Sequence, residues 1–182
     1  MDDIVGLKIQ KVENKEQKLV KVATMYFLVH PAYAYDVHRT NESVRAAEAL
    51  YEKYENIARN LNPNEVLLIL PHTVANQPDQ NPTASATAVD LLKKINPAQV
   101  IVFQPNHLVF SGFDQNADRV AFGFIEATLK DHGYVVDPNT KVMIFGEEYG
   151  ECVQEAKNGF KNIDFFAEEN ISIMEDLTYK RV

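Results

Sequence analysis

Five short apolar runs limit what this chain can fold into. They are ATMYFLV (23–29), VLLIL (66–70), VIVF (100–103), VMIF (142–145) and ISIM (171–174). Runs of this kind, without polar alternation, suit strands covered on both faces. Between them lie segments of helical character. In the first, Val44, Ala47, Tyr51, Tyr54, Ala58 and Leu61 recur at 3/4 spacing, which predicts a buried stripe on one helix face. Asn41 is the expected cap and Asn62-Pro63 the stop. ASATAVDLLKKI (84–95) is a short helix ended by Asn96-Pro97, and 116–132 is a helix with Gly133 just past its end. A last helix starts near Glu151. This alternation predicts an α/β fold: three layers, α/β/α, around a doubly wound and mostly parallel sheet with right-handed crossovers. Residues 1–22 alternate apolar and polar around a turn at Asn14–Glu16, which predicts an N-terminal β-hairpin extension.

A chain of 182 residues without an evident linker predicts one domain over 1–182. Its net charge of −8 and lack of a Lys/Arg cluster argue against nucleic acid and anionic membrane as partners. The apolar runs are too short to span a bilayer. The N-terminus begins with two acids and has no apolar signal segment. One cysteine excludes an internal disulfide and fits a reducing compartment, so the expected location is the cytoplasm. The eight Tyr and ten Phe can line an interface, so a homo-oligomer is expected, although core packing explains them equally well.

Ligands of open α/β sheets bind beyond the carboxyl ends of the strands. There the sequence places His30 after the first run and His72 after the second. Gln104, His107 and Phe110 follow the third, and Glu147, Tyr149 and Cys152 follow the fourth. Three of the five histidines thus fall at successive strand ends. Three imidazoles with a carboxylate are zinc-type ligands, but they lack the short spacing of a helical metal motif. Cys152 has two readings. At a helix N-terminus a thiolate is stabilised by free N–H groups and the helix dipole. Equally, cysteine is a common small core residue, and Glu147, Glu148 and Glu151 stand close in sequence and disfavour a thiolate.

The segment from Gly146 through Cys152-Val153 to Ala156 follows an apolar strand and precedes ISIMEDLT by some twenty residues. It resembles the isochorismatase-like hydrolase family, in which a glycine stands six residues before a Cys-Val pair that opens a helix, and a later strand ends in Asp, here Asp176. VFQPNHLVFSGF resembles the family segment after the third strand, with Phe110 and Gly112 fitting. The resemblance covers roughly residues 23–178. It implies a cysteine nucleophile, Cys152, acting on amide-like or related bonds of small molecules such as nicotinamide, N-carbamoyl compounds or isochorismate, without a cofactor. The family's acid at the end of the first strand and its lysine after the third are replaced here by His30 and Gln104.

The expected function is therefore a divergent cysteine hydrolase. Cys152 is its nucleophile, His30 its base, and Gln104 a neutral hydrogen-bond donor beside them. His72, His107, Glu147, Tyr149 and Phe110 would contact the substrate. Two other readings stay open: a non-catalytic small-molecule-binding or assembly module of the same fold, and a metal-dependent hydrolase using His30, His72 and His107.

Overall fold

The structure is a computed structural model and describes residues 18–32, 40–71, 84–103, 110–147 and 151–179. In chain order its elements are β1 (Val20–Lys21), β2 (Thr24–Val29), α1 (Asn41–Arg59), β3 (Glu65–Leu70), α2 (Ala84–Ile95), β4 (Val100–Val102), α3 (Gln115–Asp131), β5 (Tyr134–Val135), β6 (Lys141–Gly146), α4 (Cys152–Asn162) and β7 (Ile171–Thr178). Five strands form one parallel sheet in the order β4-β3-β2-β6-β7. The chain winds outward from β2 through β3 to β4, then crosses to β6 and β7 on the other side. The reversal therefore falls between β2 and β6.

Alternate side chains of the strands enter two separate cores. Phe27, Val29, Leu68 and Ile144 pack with Ile125 and Leu129 of α3 and Val153 and Phe160 of α4. Leu28, Leu67, Ile69 and Phe145 pack with Leu50 and Tyr54 of α1 and Val89 and Leu92 of α2. The three layers expected from the apolar runs are thus present, with α1 and α2 on one face and α3 and α4 on the other. Among the described residues, no helix is long and apolar enough to cross a membrane.

Several details differ from the sequence expectation. The first arm of the expected N-terminal hairpin lies outside the described residues. Its second arm contains β1, which pairs in parallel with β5, a two-residue strand too short for periodicity to reveal. The cap of α1 is Thr40 rather than Asn41. Its hydroxyl accepts from Ser43 N at 3.1 Å, and the Ser43 hydroxyl accepts from Thr40 N at 3.0 Å. That reciprocal capping box satisfies two backbone donors at once, and this sets the boundary. The buried stripe of α1 runs Ser43, Ala47, Leu50, Tyr54, Ala58, while Val44, Tyr51 and Leu61 are only partly covered. Finally, β7 continues past ISIM to Thr178, with a register shift between the pairs Ile144–Ile173 and Gly146–Thr178. Asp176, near the end of β7, is exposed in that irregular stretch, and its carbonyl accepts from Lys53 Nζ at 2.7 Å.

Candidate functional site

The carboxyl ends of β2 and β6 meet where the winding reverses, the usual ligand position in such sheets. Val29 is in register with both Leu70 and Gly146. The ladder extends one step further on each side. His30 N donates to Leu70 O at 2.8 Å, and Glu147 N donates to Val29 O at 2.9 Å. Gly146 has φ +123, and a Cβ there would drive into the Val29 carbonyl. Only glycine lets the two strand ends close to this separation. Tyr179 N donates to Gly146 O at 2.9 Å, so the end of β7 is tied to the same point.

Beyond Val29 the chain turns sharply. His30 has φ +46 and Ala32 φ +61, left-handed conformations on either side of Pro31. Each costs a side-chain-bearing residue roughly 1–2 kcal/mol. Ala32 N donates to Glu147 Oε1 at 3.0 Å, across 115 residues of sequence. The Glu147 side chain is fully buried. Its charge adds to burial, the larger cause, in pushing the Tyr54 phenol well above its ordinary range. Ala32, which the carboxylate holds, stands on the α1 side of the sheet beside Ala47 and Tyr51.

Cys152 is the first residue of α4, on the opposite face of the sheet. It is half-buried and packs against the core shared by β2, β6, α3 and α4. Its neighbour Val153 is fully buried in that core. Glu151 holds the cap position without a side-chain cap bond, and Glu155 N donates to Glu151 O at 2.8 Å. Phe110, expected to touch substrate, is a packing residue. It is 4% exposed, and its ring lies tilted at 4.6 Å from that of Phe160 and edge-on at 6.1 Å from that of Phe27. A Cβ on Gly159 would overlap its ring, so Gly159 is what lets α4 come this close.

The expected site residues therefore divide. His30, Glu147 and Cys152 all lie at the β2–β6 end of the sheet, with Glu147 internal and on the α1 side. Gln104, His72, His107 and Tyr149 lie outside the described residues. Among the described residues, no group of three His, Cys, Asp or Glu is placed to hold a metal ion. His72 and His107, two of the three histidines in the metal reading, fall outside them.

One feature was not legible in the sequence. A cleft of about 720 Å³ opens between α1 and α2, walled by Ala32, Ala47, Tyr51 and Ala88 with Glu48 and Glu52 at its side. Its only sequence signal is the run of small residues on the facing helices. No family model, curated protein or solved structure matches this chain.

Proposed function

We propose that this chain is a divergent cysteine hydrolase of the isochorismatase-like kind, acting on an amide or related bond of a small molecule. The observation that carries the reading is the position of Cys152. It opens α4 just beyond β6, at the reversal point of the sheet, with His30 at the end of the adjacent strand. Backbone N–H groups at the start of a helix suit a developing oxyanion.

In this reading His30 takes the proton of Cys152. The thiolate Sγ attacks the carbonyl carbon, and the C–N bond breaks. The departing nitrogen takes the proton back from the imidazolium. Water then cleaves the thioester, releasing the acid and restoring the thiol. The buried Phe110 packs against Phe160 of α4 and supports that helix in this scheme.

The test is turnover of a panel of small amides and N-carbamoyl compounds. Wild type is expected to hydrolyse at least one, and Cys152→Ala to lose that activity by at least about 10³-fold. Full turnover by Cys152→Ala sinks the mechanism.

One observation favours a second reading, a binding module without chemistry. The cleft between α1 and α2 lies on the face away from Cys152, and its roughly 720 Å³ is within the usual range for small-molecule sites. Alkylation of native Cys152 separates the two. A thiolate reacting with an apparent pKa below about 8.5 supports the hydrolase, and a thiol that reacts only after unfolding supports the module.

A further inference from the structure

The fully buried carboxylate of Glu147 has no part in the chemistry just described. It reaches from the end of β6 to the backbone of the turn that carries His30. We infer that Glu147 is a positioning residue for His30: by accepting the Ala32 N–H it locks the His30-Pro31-Ala32 turn in its left-handed form and so fixes where the imidazole stands. This deepens the reading of His30 as the base and rests on it.

Three observations support the assignment. The turn holds two non-glycine residues at positive φ, and such strain persists only where the surroundings over-determine it. His30 is anchored on its amino side, where its N–H continues the β3 ladder at 2.8 Å from Leu70 O. On the other side of Pro31, which has no N–H to give, the Ala32 N–H meets Glu147. Glu147 is in turn fixed by its own N–H to Val29 O at 2.9 Å, so the carboxylate and the turn it holds hang from the same residue pair of the sheet.

The test uses the full chain and reads the turn directly by NMR. In wild type the Ala32 amide is expected to exchange with solvent roughly 100-fold or more slowly than in an unstructured peptide. Glu147→Gln keeps an acceptor oxygen at the same reach and is expected to preserve both that protection and the His30 ring resonances. Glu147→Ala is expected to abolish the protection and move the His30 resonances toward random-coil positions, with the β3 and β4 amides still protected. In the pH profile of Cys152 alkylation, Glu147→Ala should lose the same limb that His30→Ala loses, and Glu147→Gln should keep it.

An unprotected Ala32 amide in wild type overturns the inference, and that result needs no variant to fold. So do wild-type His30 resonances in a folded Glu147→Ala. An alkylation profile unaffected by His30→Ala overturns the reading of His30 as base instead, while the exchange and resonance data still decide whether Glu147 sets the turn.

Discussion

His30 and Ala32 adopt a backbone that side chains disfavour, a few ångströms from Gly146, whose backbone only glycine tolerates. The two cases predict opposite outcomes. Ala32→Gly keeps the N–H to Glu147 and relieves the left-handed strain, so it should stabilise the fold by about 1 kcal/mol in chemical denaturation. Gly146→Ala forces a methyl into the Val29 carbonyl and should cost about 3 kcal/mol or more, with loss of amide protection along β2 and β6. Gly146 was legible in the sequence as part of a Gly-to-Cys-Val spacing. Its reason was not, because the carbonyl it accommodates is 117 residues away in numbering, at Val29. Phe110 shows the same limit from the other direction. It sits after a strand, where site residues gather, yet its ring is covered by Phe27 and Phe160 from two other elements.

The helices were legible because 3/4 periodicity and Pro or Gly stops are local signals. The face each one buries was less so. In α1 the buried set is turned so that Leu50 enters the core and Tyr51 lines the cleft, since α2 packs beside it and takes part of the contact. Thr40→Ala removes the hydroxyl half of its capping box and should cost about 1 kcal/mol, measurable by urea denaturation. A longer-range tie sets α3 against α4. Asp118 is fully buried, accepts from Ser111 N at 2.7 Å and Gly112 N at 3.3 Å with Oδ1, and from Asn162 Nδ2 at 2.8 Å with Oδ2. Asp118→Ala strands those donors and should cost about 3 kcal/mol or more by the same measurement. An acidic residue in the first turn of a helix is ordinarily read only as a partner for the dipole. Its use as a clamp depends on the end of α4 arriving beside it.

Alkaline pH should expose the tie between α1 and β7. Tyr54 is 1% exposed, and its hydroxyl donates to Leu177 O at 3.2 Å. Burial first, then the Glu147 charge, raises its phenol well above 10.0. Burial, and then Glu55, brings Tyr51 up to about 12. A phenol whose folded value is raised holds its proton more tightly in the native state. The associated stability is complete below pH 10 and is lost as pH rises toward the folded value. The native state should therefore weaken from about pH 10 upward, followed by circular dichroism. Tyr54→Phe should cost about 1 kcal/mol at neutral pH through the lost bond to Leu177. It should also flatten the alkaline decline. A decline as steep as in wild type would show that Tyr54 is not its source.

The order of elements, the parallel sheet and the layers on both faces follow from features local to the chain: apolar runs that must be covered on both sides, and amphipathic segments alternating with them. What depended on the folded chain was the pairing of distant groups at the β2–β6 boundary. Glu147 turns inward to hold Ala32, Cys152 falls on the opposite face, and Phe110 sinks into the core. These outcomes are set by strand register and by which side of the sheet each element packs on, and they join residues far apart in sequence, 115 positions for Ala32 and Glu147, beyond the reach of any local periodicity.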